Sequence, residues 1–198
     1  MRLMSNRERV LESALTLFND QGTGAVSTNH IAEAAGISPG NLYYHFRNKE
    51  EIIRALFERL FAAWDETFQL PTDRAPSLAD LDAMITANYQ LIWEYRFAYR
   101  EQAALLRNDP ELRERYLSVR QRGYEGFVIL IDAFVTAGVL SPPTGSQELK
   151  ILTELCWIVS EQWPINLELS GRPFDEDGIV EGAALMRWIL HPLQREEN

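Results

Sequence analysis

Residues Ser27 to Lys49, STNHIAEAAGISPGNLYYHFRNK, constrain the fold more tightly than any other stretch, because nearly every position has a local structural reading. Ser27 or Thr28 can cap a short helix with a side-chain oxygen, and Ile31, Ala32 and Ala35 give that helix one small apolar face. Gly36 stands where helices most often stop in a left-handed conformation. Ile37 then plugs the turn, Ser38 offers a second N-cap, and Pro39 sits at the first helical position, where proline is tolerated. The helix that follows is short, about Pro39 to His45. Leu42 and Phe46, four apart, point into a core and leave Asn41, Tyr44 and His45 on other faces. Asn48 with Glu51 three residues later is a capping pattern that opens another helix. Helix, glycine turn and helix is the layout in which a second helix enters a DNA major groove. Such a helix needs hydrogen-bonding side chains on a rigid support. Asn41, Tyr43, Tyr44, His45 and Lys49 carry them, and Gly40 leaves room for the backbone to approach a duplex.

The rest of the chain reads as helices throughout. Leu11, Ala14, Leu15 and Phe18 recur at helical spacing between Arg7 and Gln21, and Gly22 and Gly24 end that helix. With the two short helices it makes a three-helix unit, whose core is expected from Leu11, Leu15, Phe18, Ile31, Leu42 and Phe46. A longer helix is expected from Lys49 to Leu70, on the order of 33 Å at 1.5 Å per residue, before Pro71 to Pro76 breaks the pattern. Ser77 with Asp80 opens the next, to about Tyr95. After a break near Arg96 another runs to Arg107. Asp109 caps and Pro110 starts a long helix in which Gly123 and Gly126 hint at a bend or a close neighbour. Two more follow, about Ser146 to Leu169 and Asp175 to His191, with Pro164 expected to kink the first of them. The fold class is therefore all-α, about nine helices, with an N-terminal helix-turn-helix domain at 1–48 and a C-terminal helical bundle at 49–198.

The last two helices are apolar on more than one face, so both sides must be covered. One side is the core of the chain. The other points to a second copy, a homodimer meeting through Leu152, Leu155, Trp163, Ile179, Ala183, Met186 and Leu190, with small residues such as Gly182 and Ala184 allowing close approach.

Composition narrows the alternatives. Of 198 residues 46% are hydrophobic, with five Trp, seven Tyr and nine Phe, too apolar for a disordered chain. No window has the eighteen or so uninterrupted apolar residues of a membrane span and the N-terminus lacks a signal-peptide core, which points to the cytoplasm and to no membrane partner. The single cysteine, Cys156, excludes an intrachain disulfide framework and reads as a small buried hydrophobe. His30, His45 and His191 form no metal spacing, and no nucleophile elbow or phosphate loop occurs, so neither metal, cofactor nor enzyme is expected. The net charge of −10 argues against a nucleic-acid partner until the chain is divided, because the first fifty residues are neutral and carry Arg2, Arg7, Arg9, Arg47 and Lys49. A duplex would have to meet a local basic cluster while the acidic body faces away.

Ile31-Ala32, Ala35-Gly36-Ile37-Ser38, Gly40, Leu42-Tyr43, His45-Phe46 and Lys49 resemble the DNA-binding signature of the TetR family of bacterial transcriptional repressors. The match is dense over about fifty N-terminal residues, while the remainder resembles the family in length and helical patterning. The resemblance implies a homodimer on a double-stranded, palindromic operator, with DNA contacts at Thr28, Asn29, Ser38, Pro39, Gly40, Asn41, Tyr43, Tyr44, His45 and Lys49. Asn29 departs from the pattern, since many relatives carry a longer basic residue near there. The resemblance further implies repression relieved by a small-molecule effector in the C-terminal domain. An apolar cavity there would draw on Trp93, Phe97, Arg100, Tyr116, Phe127, Trp157 and Trp163, with a few polar groups fixing orientation. If those aromatics are solid core, control passes to a protein partner or to no effector at all. The acidic balance also fits a helical adaptor that has lost DNA binding.

Overall fold

The computed structural model describes residues 4–193, with nine α-helices and a closing 3-10 turn among them. Arg2 and the outer ends of the two expected domains lie outside the described residues. The helices are α1 (Asn6–Gln21), α2 (Thr28–Ala34), α3 (Pro39–His45), α4 (Lys49–Thr67), α5 (Leu78–Glu94), α6 (Arg96–Asn108), α7 (Pro110–Thr136), α8 (Ser146–Leu169) and α9 (Glu176–Leu190). The all-α expectation and its nine helices are met, with most ends within one residue of the sequence reading. Helix α4 is three residues shorter than expected, ending where the Thr67 hydroxyl bonds back to the Ala63 carbonyl at 2.8 Å.

The chain packs as two compact units. The first takes residues up to Ala62 together with Glu94–Glu114, and the second takes Ala63–Trp93 together with residues from Arg115 onward. Helices α4 and α7 contribute residues to both.

In the first unit all six expected core residues, Leu11, Leu15, Phe18, Ile31, Leu42 and Phe46, are buried. A three-helix cluster is too small to seal itself, and α4 adds Ile52, Leu56, Phe57, Leu60 and Phe61 to the same interior. Helix α6 completes it. The Phe97 ring lies 5.5 Å from Phe18 and 6.2 Å from Phe57, centroid to centroid. Tyr95, the cap position of α6, makes no capping bond. Its place is taken by Asn19 of α1, whose Oδ1 accepts from the Phe97 amide at 3.0 Å while its Nδ2 donates to the Glu94 carbonyl at 2.7 Å. Asn19 is buried, and both ends of its amide are satisfied. Asp109 caps α7 as expected, accepting from the Leu112 amide at 3.0 Å, and Arg54 of α4 holds the same carboxylate at 2.7 Å.

In the second unit α9 lies tightly on its neighbours. A Cβ at Gly182 would meet Trp163 Cδ1 at 2.7 Å and collide with the Tyr89 ring, so only glycine allows that approach. The Trp163 indole donates to the Gly178 carbonyl at 2.8 Å. Helix α8 runs through Pro164 without a break. A Cβ at Gly123 would stand 3.0 Å from the Trp157 ring, so of the two readings for that glycine the structure supports the close neighbour. Cys156 is buried, and burial pushes its thiol up to about 12, which keeps it a protonated, unreactive hydrophobe at neutral pH.

Candidate nucleic-acid interface

The α2–α3 pair is built from local bonds. Ser27 caps α2, accepting from the His30 amide at 3.3 Å, and His30 Nδ1 accepts from the Ser27 amide at 3.4 Å, a capping box with histidine in the position usually held by glutamate. Gly36 takes the turn at φ +63°, where a Cβ would also press on the Arg9 guanidinium at 2.8 Å. Ser38 caps α3 at 3.2 Å from the Asn41 amide, with Pro39 at the first turn. Leu42 and Phe46 anchor α3 in the core and turn its other faces to solvent.

That solvent face gathers the sequence-suggested residues. Asn29, Ser38, Pro39 and Gly40 are exposed, and Thr28, Asn41 and His45 are half-buried. Tyr44 is 83% exposed and Tyr43 49%, high for aromatic rings, and the Tyr44 ring lies edge-on to His45 at 5.1 Å between centroids. The Tyr43 hydroxyl lies 2.9 Å from Thr28 Oγ1, which ties the start of α2 to α3. Asn41 Oδ1 accepts from Asn6 of α1 at 3.1 Å. Lys49 differs from the rest, because its ammonium donates to the Thr23 carbonyl at 2.6 Å and the Val26 carbonyl at 3.0 Å.

The local basic cluster is present around this pair. Arg7 stacks over the Phe46 ring at 5.2 Å, Arg9 lies against the Gly36 turn, and the Arg47 side chain, just past α3, is 90% exposed. Arg47 belongs to the basic cluster of the sequence but is not among the individual contacts that the resemblance implies. Its signal was available in the sequence, a cation directly after a recognition-type helix, and its weak 3.8 Å pairing with Glu51 leaves it turned to solvent. Thr23 and Glu101 were missed too, and no local pattern could have found them, since they meet across 78 positions of chain.

Of the seven aromatic and polar positions suggested for an effector, two fall in the first unit and five in the second. Phe97 is core of the first unit and Arg100 donates to the Asn19 carbonyl there at 3.1 Å. In the second unit Trp93 donates to the Phe174 carbonyl at 2.8 Å, and Trp163 is committed to Gly178. Tyr116, Phe127 and Trp157 do come together, around Arg120. Trp157 stacks flat on Tyr124 at 4.5 Å with Phe127 edge-on at 6.3 Å, and the Arg120 guanidinium covers Tyr124 and Trp157 at 5.4 and 5.6 Å. Arg120 also pairs with Glu161, which accepts from the Tyr116 hydroxyl at 2.8 Å. Burial and the neighbouring Glu161 charge hold the Tyr116 hydroxyl well above its ordinary pKa, so it stays a donor. An open groove of about 260 Å³ between α7 and α8 is lined by Tyr124, Val128, Leu149 and Lys150 among others, and by none of the seven.

Of the positions suggested for a dimer contact, Leu152, Ala183, Met186 and Leu190 are buried under the chain's own helices, Trp163 and Ile179 are half-buried, and Leu155 is exposed. The apolar face left open is offset from the suggested one. It comprises Ile151, Leu155 and Ile158 on α8, and Val180, Leu185 and Trp188 on α9. Both faces of these helices are apolar, so their periodicity could not tell the inner from the outer. Among the described residues no helix is long and apolar enough to cross a membrane, and no group of His, Cys, Asp or Glu has the arrangement of a metal site.

With this geometry in hand, comparison with known proteins is informative. The family model described as bacterial regulatory proteins, tetR family, matches residues 10–56, and one described as bacterial transcriptional repressor matches residues 59–197. The chain is 39% identical over 90 residues to the HTH-type transcriptional repressor KstR2 of Rhodococcus jostii (strain RHA1), covering 43% of each. It is 23% identical over 135 residues to the fatty acid metabolism regulator protein of Bacillus subtilis (strain 168), covering 67% of this chain and 68% of that one. The chain spans about half the length of the first curated relatives it matches. The fold superposes on the crystal structure of a TetR-family transcriptional regulator from Marinobacter aquaeolei VT8 with a TM-score of 0.87 and 31% identity, covering 97% of this chain and 92% of that one.

Proposed function

The chain belongs to the TetR family of bacterial regulatory proteins, and from that membership we propose that it is a transcriptional repressor, a homodimer that grips a near-palindromic operator through two copies of α3. In this reading residues 1–48 bind DNA, and 49–198 sense an effector and dimerise. The observation that carries it is the solvent face of α3. Tyr44, Tyr43, Asn41 and His45 present hydrogen-bonding tips from a helix held by a proline, a serine cap and two buried anchors. Arg7, Arg9 and Arg47 supply phosphate-seeking charge around it in a chain whose remaining charge is strongly acidic.

Two such helices in a two-fold dimer would enter successive major grooves about one turn apart, roughly 34 Å. The open apolar face of α8 and α9 is the surface that a second copy would cover. A small, largely apolar effector acting on the second unit would release the operator, provided it binds the released state more tightly than the DNA-bound one. A relative that regulates fatty acid metabolism favours an apolar effector.

Selecting sites from a random DNA pool with the purified protein gives the duplex for a mobility-shift assay. Tyr44→Ala is expected to weaken binding of that duplex at least about tenfold, the worth of a good base contact, without changing the oligomer seen in sedimentation. Unchanged affinity for the Tyr44 variant would remove α3 from the interface.

A further inference from the structure

Lys49 carries the charge of a phosphate contact, but two of its ammonium's three donors bond the protein's own carbonyls. Thr23 lies buried in the loop between α1 and α2. Its amide donates to Glu101 Oε1 of α6 at 2.8 Å and its hydroxyl donates to Glu101 Oε2. Its carbonyl accepts from Lys49 Nζ at 2.6 Å, and the same nitrogen reaches the Val26 carbonyl at 3.0 Å. All the polar groups of one buried loop residue are thus satisfied by two charged side chains from distant elements. Such bonds are stronger than neutral ones and leave a costly orphan when one partner is removed. The loop ends at Ser27, the cap of α2, and the next side chain, Thr28, meets the Tyr43 hydroxyl of α3 at 2.9 Å.

We propose that Lys49 and Glu101 are positioning residues for operator binding: together they clamp Thr23, and through it fix where α2 begins and where α3 presents Tyr43. The proposal rests on the DNA-binding reading above. It takes Lys49 out of the phosphate contacts, and it gives a share of operator affinity to α6, a helix outside residues 10–56. Glu101 separates this idea from electrostatics by sign. An acidic side chain repels a polyanion, so deleting it strengthens DNA binding if charge alone matters, and weakens binding if the clamp matters.

The test uses the full chain and the duplex selected from the random pool, with affinity measured by fluorescence anisotropy between 50 and 200 mM salt. Lys49→Ala, Glu101→Ala and Thr23→Val are each expected to weaken binding about tenfold, the effect of breaking a hydrogen bond to a charged group. The slope of log affinity against log salt stays that of the wild type, and the double variant K49A/E101A loses less than the product of the two single losses. Thr23→Val keeps the shape and the backbone groups while deleting only the hydroxyl, so it remains informative where a harsher variant fails to fold. The proposal is overturned if Lys49→Ala flattens the salt slope by about 0.9, the signature of one lost phosphate contact. It is equally overturned if Glu101→Ala and Thr23→Val bind as tightly as wild type or tighter. A wild-type protein that retains no duplex from the pool would instead overturn the DNA-binding reading itself.

Discussion

The solvent face of α2–α3 and the open face of α8–α9 both expose aromatic and aliphatic side chains, yet they are made in opposite ways. On the first, the exposed rings of Tyr43 and Tyr44 end in hydroxyls, and the short helices beneath are held by side-chain caps and buried anchors. On the second, Val180 at 62% exposure and Trp188 at 79% stand with Ile151, Leu155, Ile158 and Leu185 on long helices, five aliphatic groups and an indole whose N–H is the one polar group among them. A surface of polar-tipped groups on a stiff frame suits a hydrogen-bonding, hydrated partner such as DNA. One of bare aliphatic groups is costly to leave in water and suits a partner that is itself apolar, such as the same face on another copy.

The most damaging way to test the contrast is to place charges on the second face alone. Val180→Asp with Trp188→Asp is expected to dissociate the proposed dimer and to lower operator affinity more than a hundredfold, because each head would then bind with no help from the other. Sedimentation and the shift assay read the two effects on one sample. Because both positions are exposed in the single chain, its helicity should survive. A double variant that stays dimeric and keeps its affinity would break the distinction drawn between the faces.

A smaller effect is expected where the frame beneath the first face is wired through charge. Burial works to raise the Asp109 carboxyl, but the Arg54 hydrogen bond, the Leu112 amide and the Arg54 charge outweigh it and leave its pKa below the ordinary value. A carboxylate depressed in the folded state stabilises above its unfolded pKa of about 4, and that stabilisation fades as pH falls through the folded value. Asp109→Asn should therefore cost about 1–3 kcal/mol in urea unfolding at pH 7 and distinctly less near pH 3. Asparagine keeps a capping oxygen for the Leu112 amide, so a cost that does not change with pH would mean that the charge of Asp109 is not what stabilises the fold.

The same contrast explains what was legible in the sequence. The α2–α3 pair could be read residue by residue, because Ser27, Gly36, Ser38 and Pro39 act on their own neighbours within three or four positions. The inward and outward faces of α8 and α9 could not, since Leu152 and Ile151 are equally apolar and only packing decides which is covered. The grip of Glu101 on Thr23 and of Asn19 on α6 joins residues more than seventy positions apart, and no local chemistry announces it. Phe97 and Arg100 were suggested for a ligand through the family resemblance, and in the structure Phe97 packs on Phe18 and Phe57 while Arg100 bonds the Asn19 carbonyl, contacts that no local pattern announces.

Gly40 gives the smallest expected effect and the finest test of the first face. It lies in the first turn of α3 with ordinary helical backbone, and a Cβ built on it meets nothing within 4 Å. Within the chain, then, nothing requires glycine, and Gly40→Ala should stabilise by about 0.5–1 kcal/mol through helix propensity and a less flexible unfolded state. If α3 brings its backbone close to the duplex at this turn, the added methyl has to displace DNA, and operator affinity should fall several-fold in a protein that is more stable than wild type. Thermal unfolding and anisotropy on the same preparation separate the two quantities. Stability and affinity rising together would show that the duplex does not come within a methyl group of Gly40, and would move the interface toward Tyr44 and Arg47 at the other end of α3.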